Sequence, residues 1–203
     1  MEPTTDARKP YPVSWTEQRT LFQELPLHLA RMALFAVNSG LRDSEVCGLC
    51  WEWEVKEPEL GASVFIVPDG WNKSGRERLV VLNRVARSIV EQVRREHPTH
   101  VLSYKGHPIQ TMNNSAWQKA RKRAGLAQVR VHDLRHTYGR RLRSAGVSFE
   151  DRQDLLGHKS KRITTHYSKA EIQNLIEASN KVCAEPESPH KIPTLVVLRG
   201  GGG

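Results

Sequence analysis

Apolar residues recur at helical spacing along most of this chain. The run from residue 27 to residue 39 is apolar on most of its faces and stops at Gly40, which predicts a buried central helix. The Ser-x-x-Glu pattern that marks the start of a helix occurs twice. At residues 14–17 it predicts a helix that must end before Pro26, and at residues 168–171 it predicts a helix that runs to about residue 182. The same spacing predicts further helices at about residues 84–96, 112–124, 133–144 and 149–156.

The middle of the chain has a different pattern. Residues 62–67 and 78–82 are short runs rich in β-branched and apolar residues, and turn-forming Asp69-Gly70 and Ser74-Gly75 lie between them. They predict a small antiparallel hairpin or sheet. The fold class we expect is α+β, mainly α, with this small sheet packed on a helical core.

Both ends of the chain differ from the part between them. Residues 1–13 hold three prolines and many polar groups, so we expect a linker outside the core. Residues 14–183 would form one domain, and residues 184–203 a tail rich in Pro, Ser and Gly. Its β-prone run at 194–198 predicts either a strand added to the sheet edge of another subunit or disorder.

The charge balance narrows the choice of partner. The chain has 31 Lys and Arg against 22 Asp and Glu, a formal net charge of +9. Such an excess favours a polyanion such as nucleic acid, because each cation placed against a phosphate releases counterions. A solvated basic surface explains the same number, so charge alone leaves both readings open.

The cysteines and the apolar runs bear on compartment and on metal. Cys47 and Cys50 form a Cys-x-x-Cys pair, but no second pair of ligands lies beside it, so we interpret both as small apolar residues at a buried helix end. With Cys183 they are too few for a disulfide framework. No signal-peptide pattern and no apolar run of about 20 residues occurs. We expect a soluble cytoplasmic protein without a metal or cofactor.

Several polar residues stand where a structural residue would serve better. Each alone has a structural explanation, such as a helix cap, a hydrogen-bonded core histidine or amphipathic packing. Together they are the groups that phosphoryl transfer without a metal requires. They are Arg42 after the central helix, Lys73 in the predicted hairpin, His132, Arg135 and His136 on one helix face, His158 after Gly157, and Tyr167 ahead of the last helix.

Four motifs formed by these residues resemble those of the tyrosine recombinases of the phage-integrase type. They span residues 40–167 in the order found in that family. The motifs are Gly40-Leu41-Arg42-Asp43-Ser44-Glu45, the lysine run Asn72-Lys73-Ser74-Gly75-Arg76-Glu77-Arg78, His132-Asp133-Leu134-Arg135-His136-Thr137, and Leu155-Leu156-Gly157-His158 followed by Thr165-His166-Tyr167.

The resemblance implies a role for each residue. Tyr167 would attack a DNA phosphate and form a 3′-phosphotyrosine bond, which a 5′-hydroxyl can later reverse without ATP. Arg42 and Arg135 would bind the nonbridging oxygens, and His132 and His158 would hydrogen-bond the phosphate, one of them taking the phenolic proton. Lys73 would protonate the leaving 5′-oxygen. Glu45 and His136 are interpreted as supporting residues, and Tyr138, inside a helix, as a residue whose hydroxyl is fixed by packing.

The resemblance also implies partners. Double-stranded DNA is the substrate, four protomers assemble on it, accessory DNA-bending proteins can assist, and the enzyme works at the nucleoid. Members of the family carry an additional N-terminal DNA-clamping domain, so we expect this chain to be a fragment of a longer protein. A prophage integrase is the preferred role, and a Xer-like or transposon recombinase is the alternative.

Three other readings stay open at this point. A metal-dependent phosphohydrolase is suggested by His132-Asp133 and by the spacing of His132 and His136, although the surrounding arginines would repel a divalent cation. A DNA-binding module without chemistry would explain the charge but not Tyr167 and Lys73. A type IB topoisomerase would share the catalytic groups.

Overall fold

The structure is a computed structural model, and it describes residues 8–71, 77–158 and 167–185. In these ranges it contains eight α-helices and two small antiparallel sheets. The helices are α1 (Trp15–Glu24), α2 (Leu27–Ser39), α3 (Asp43–Cys47), α4 (Arg84–Val93), α5 (Ser115–Arg123), α6 (Val131–Ser144), α7 (Phe149–Leu156) and α8 (Lys169–Asn180). The expected α+β fold with a helical majority is confirmed.

Local signals place most helix ends where the sequence predicts them. Ser14 and Ser168 both cap their helices through reciprocal hydrogen bonds with the glutamate three residues later. Gly40 ends α2 and Gly157 ends α7, each in the left-handed conformation. Helix α5 starts three residues later than predicted, since Asn114 caps it, and α6 starts two residues earlier.

The larger sheet has three strands in the order β1 (Glu54–Glu57), β2 (Ala62–Val67) and β3 (Arg78–Val81). The predicted pairing of β2 with β3 is confirmed, with Phe65 opposite Val80. Strand β1 was not predicted, nor was the two-residue hairpin of β4 (Ser103–Tyr104) and β5 (His107–Pro108). The larger sheet packs through β3 against α7 and α8.

Helices α2 and α6 form the centre of the fold, and α2 also packs against α4. One apolar cluster surrounds α2, with Leu29, Phe35 and Trp117 fully buried. A second cluster joins the sheet to α6, α7 and α8 around Tyr138. Since α6 contributes to both clusters, it is held firmly on two sides.

The chain ahead of α1 is attached to α6. The Tyr11 amide donates to Asp133 Oδ1 (3.0 Å) and the Val13 amide to Thr137 Oγ1 (3.0 Å). Val13 is 4% exposed and belongs to the first cluster. The expectation that residues 1–13 lie outside the core is therefore wrong at Val13, because its apolar side chain covers part of the core beside α1.

Cys47 and Cys50 are both buried and carry free thiols. Burial, followed by the charge of Asp43, raises the pKa of the Cys47 thiol. The prediction that both act as small apolar residues at a helix end is confirmed by their place in the first cluster. In the described part of the chain, no helix is long and apolar enough to cross a membrane.

Candidate active site

One cleft collects five of the residues predicted from the sequence. It has a volume of about 960 Å³ and lies between the end of α2, one face of α6 and the end of α7. The lining residues are Arg42, His132, Arg135, His136, Gly139, Arg140, Arg143, Ser144, Arg152, Leu156 and His158. None of these described lining residues is acidic, so the cleft has the charge expected of an oxyanion site.

Arg42 reaches the cleft because the chain turns sharply after α2. Gly40 takes φ 66°, and an added Cβ there would lie 2.5 Å from Tyr138 Cδ1, so only glycine fits the turn. Arg42 then precedes α3, where its amide donates to Glu45 Oε2 (2.7 Å) and its Nη1 to Glu45 Oε1 (3.0 Å). Its side chain remains 27% exposed. One edge of the guanidinium is thus held by Glu45 while part of it faces solvent.

Arg135 is held more tightly. Its Nη1 donates to the carbonyl of Gly40 (2.5 Å) and its Nη2 to the carbonyl of Leu156 (2.6 Å), so it joins the ends of α2 and α7. The side chain is buried, and burial together with the charges of Arg78 and Arg42 lowers the pKa of its guanidinium. Because a guanidinium starts above about 12, it stays protonated at neutral pH.

The three histidines of the cleft come from two elements. His132 and His136 lie one turn apart on α6, with ring centroids 4.7 Å apart and an interplanar angle of 87°. His158 follows Gly157, and its amide donates to the Gln153 carbonyl (2.9 Å), which closes the end of α7. Partial burial is the first cause that lowers the pKa of all three imidazoles, and the nearby arginines act in the same direction. At pH 7 these rings are therefore neutral and can accept a proton.

Glu45 lies behind the cleft and is fully buried. Besides Arg42, it accepts a short hydrogen bond from Arg78 Nη1 at the start of β3. The positive charges of Arg78 and Arg42, with the hydrogen bonds from both, keep the pKa of the Glu45 carboxyl below its usual value although burial acts to raise it. Glu45 thus contacts two arginines, and its supporting role stays a prediction.

Sequence reasoning assigned no site role to four arginines of this region. Arg140 and Arg143 continue the cleft face of α6 beyond His136, and Arg152 faces them from α7. Their helical spacing could have been noticed, since residues 132, 136, 140 and 143 share one face. Arg78 was named only as the last residue of the lysine motif and the first of a β-rich run, and its burial at Glu45 depends on contacts that a linear pattern does not show.

Tyr167 does not line the cleft. It is partly buried against the second apolar cluster, just ahead of Ser168, and is not among the described residues that line the cleft. Lys73 falls in residues 72–76, outside the described residues, as does the predicted strand at 194–198. The structure therefore brings together the arginines and histidines, but not Tyr167.

Tyr138 is fully buried, and its hydroxyl forms a 2.7 Å hydrogen bond with Ser179 Oγ. Burial raises the pKa of this phenol, so it remains protonated. The prediction that packing fixes this hydroxyl is confirmed.

The sequence of the chain matches the sequence profile of the Phage integrase family over residues 16–174. It is 27% identical over 179 residues to an integrase of Salmonella phage P22, covering 82% of this chain and 45% of that protein. It is 27% identical over 156 residues to tyrosine recombinase XerA of Pyrococcus horikoshii, covering 73% and 52%. The chain thus spans about half the length of these relatives.

Solved structures show the same fold. An integrase from mycobacterium phage Brujita superposes with a TM-score of 0.65 at 22% identity, over 94% of this chain and 64% of that chain. A lambda integrase dimer bound to a COC′ core site gives a TM-score of 0.59 at 19% identity, over 82% and 64%. The overall fold of this chain is therefore shared with these proteins.

Proposed function

This chain belongs to the phage integrase family, and from that premise we propose that it is the catalytic part of a site-specific DNA recombinase. The enzyme cleaves and rejoins DNA strands through a covalent bond to Tyr167, and residues 14–183 form the catalytic domain. One observation carries the proposal: Arg42, His132, Arg135 and His158 come from three distant parts of the chain and line one cleft.

The reaction is a reversible transfer of a phosphodiester. The Tyr167 oxygen attacks the scissile phosphorus, the bond to the 5′-oxygen breaks, and a 3′-phosphotyrosine results. A neutral imidazole, of His132 or His158, takes the phenolic proton, and Lys73 gives a proton to the departing 5′-oxygen. Attack by a 5′-hydroxyl on the phosphotyrosine reverses these transfers and rejoins a strand, so neither ATP nor a metal is needed.

The arginines supply charge where the transition state develops it. Arg42 and Arg135 each offer paired donors to the nonbridging oxygens, and the loss of either is expected to cost about 2–4 kcal/mol of transition-state stabilisation. Arg135 is aligned in advance by the carbonyls of Gly40 and Leu156, which leaves little rearrangement for the moment of reaction. The proposal requires Tyr167 to leave its apolar contacts and enter the cleft.

The proposed partners follow from the same chemistry. The substrate is double-stranded DNA, which suits the formal net charge of +9. Four protomers would exchange strands in one assembly, with accessory DNA-bending proteins assisting, and the enzyme would act in the cytoplasm at the nucleoid. A prophage integrase is the preferred role; a Xer-like or transposon recombinase would use the same cleft.

The experiment that tests the proposal uses a nicked duplex made from the DNA that flanks the gene. The nick lets the short 5′-hydroxyl fragment diffuse away, so that a cleaved complex cannot religate. The chain is incubated with this duplex in EDTA, and a protein–DNA adduct is sought on a denaturing gel. Tyr167→Phe is the variant that removes the nucleophile, and Tyr138→Phe is the matched control.

We expect an adduct from the unchanged chain and from Tyr138→Phe, and none from Tyr167→Phe. Hydrolysis that needs an added metal and leaves no adduct would overturn the proposal in favour of a metal-dependent phosphohydrolase. If the chain binds DNA without an adduct, the experiment is then repeated with a chain that includes any N-terminal domain. If that chain also binds DNA but forms no adduct, the result would favour a DNA-binding module without catalytic activity.

A further inference from the structure

Arg78 is a deeply buried cation behind the cleft, and the proposed reaction assigns it no role. It begins β3, is 5% exposed and is not among the described residues that line the cleft. Its Nη1 donates to Glu45, and its Nη2 to the carbonyl of Leu155 at 3.3 Å. Arg78 therefore cannot touch DNA directly, and any part it has in the reaction must pass through another residue.

The charges around Glu45 show which residue that is. Within the described part of the chain, the buried Glu45 carboxylate accepts hydrogen bonds from Arg42 and from Arg78. Two guanidinium groups and one carboxylate leave a net charge of +1, and the partly exposed group, Arg42, can present it to the cleft. Without Arg78, the charge of Arg42 would be balanced by Glu45, and the group would have none left for a phosphate.

Arg78 also contacts the segment that carries His158. A Cβ added to Gly157 would lie 2.6 Å from Arg78 Cδ, so the glycine backbone packs directly on this side chain. The carbonyl of Leu155, two residues earlier, is the acceptor for Arg78 Nη2. Arg78 thus lies between Glu45 and the end of α7 and holds both at a fixed separation.

We propose that Arg78 is a positioning residue for the reaction: it neutralises Glu45, so that Arg42 keeps its positive charge for the scissile phosphate. This inference rests on the proposed function, because it assigns a purpose to the charge of Arg42. Arg78 and Arg42 then act as one unit on the reaction rate.

The test is a double-mutant cycle on the single-turnover rate of adduct formation with the nicked duplex. Arg78→Met is expected to lower the rate about 10- to 100-fold, taking as a guide the effect of removing a residue that orients a metal ligand. In an Arg42→Ala background the same change should lower it less than about 2-fold, because the group through which Arg78 acts is gone. Arg78→Lys, which keeps the charge, should recover most of the rate.

A second arm removes both buried charges. Arg78→Met with Glu45→Gln should react faster than Arg78→Met alone, since no carboxylate remains to hold Arg42. The matched control is Arg94→Met, which breaks a pair with the buried Glu54 (2.7 and 2.8 Å) that lies away from the cleft, and its rate should not change. Melting temperatures of all variants separate lost structure from lost positioning.

Three outcomes would overturn the proposal. One is that Arg78→Met reacts at the unchanged rate. Another is that the rate losses of Arg78→Met and Arg42→Ala multiply fully, which would mean that Arg78 acts through another group or through general unfolding. Absence of an adduct both from the unchanged chain and from a chain that includes any N-terminal domain would overturn the proposed function and this inference with it. An adduct from the unchanged chain that forms equally fast in Arg78→Met overturns the inference alone.

Discussion

Replacing Tyr138 with phenylalanine tests whether its hydroxyl has a structural role, in contrast to the catalytic role proposed for the Tyr167 hydroxyl. The ring of Tyr138 is fully buried, and phenylalanine fills the same space, so only the hydroxyl and its 2.7 Å hydrogen bond with Ser179 Oγ are lost. Ser179 is itself fully buried, and its hydroxyl loses this partner. Leaving one such group without a partner costs about 1–3 kcal/mol, and Ser179 can recover part of this by turning to a carbonyl of its own helix. We therefore expect Tyr138→Phe to lower the free energy of unfolding by about 1–2 kcal/mol.

Urea denaturation followed by tryptophan fluorescence measures this difference, and a fall in melting temperature of about 2–8 °C should accompany it. Tyr138→Phe with Ser179→Ala removes both hydroxyls and should be more stable than the single variant. Adduct formation should stay at the unchanged rate. The reasoning is refuted if Tyr138→Phe changes stability by less than about 0.5 kcal/mol, or if it abolishes the adduct.

Three further predictions concern Gly40, Asp133 and the three cleft histidines. Gly40→Ala should destabilise the fold by about 2 kcal/mol or more, since it combines a left-handed backbone with a clash against Tyr138; equal denaturation midpoints would contradict this. Asp133→Ala should release the Tyr11 amide and speed its hydrogen exchange, followed by NMR spectroscopy, whereas this amide should be protected in the unchanged chain. The lowered pKa values of the three cleft histidines mean that the unfolded chain binds more protons just below pH 6.5. The free energy of unfolding, measured by denaturation, should therefore decrease as the pH is lowered from about 7 to about 5.5. An increase over this range would contradict these pKa shifts.

Most of the fold could be predicted where the signal lies in neighbouring residues. The caps at Ser14 and Ser168 and the stops at Gly40 and Gly157 act within one helical turn, and all four stand as predicted. Strand β1 was missed because the charged sequence of Glu54–Glu57 has little intrinsic β preference, and its pairing with β2 determines its conformation. Val13 was missed for a related reason, since one apolar residue among prolines becomes buried only through contacts with distant parts of the chain.

The candidate site was predictable in composition but not in arrangement. The motif resemblance is confirmed by the family match over residues 16–174, and the arginines and histidines that it named line one cleft. Their individual roles remain predictions. The position of Tyr167 against the second cluster could not be read from its motif, because packing determines it. Arg78 was not recognised because its contacts with Glu45 and Leu155 join segments far apart in the chain.

The attachment of the entering chain to α6 has a mechanical consequence. The amides of Tyr11 and Val13 are bonded to Asp133 and Thr137, on the helix whose other residues, including Arg135, reach the cleft. A force applied to the chain ahead of Tyr11 therefore acts on α6 itself, with no flexible segment between residues 11 and 13 to absorb it. Tension at this end of the molecule would act first on these two hydrogen bonds, whose acceptors lie two residues before and two residues after Arg135.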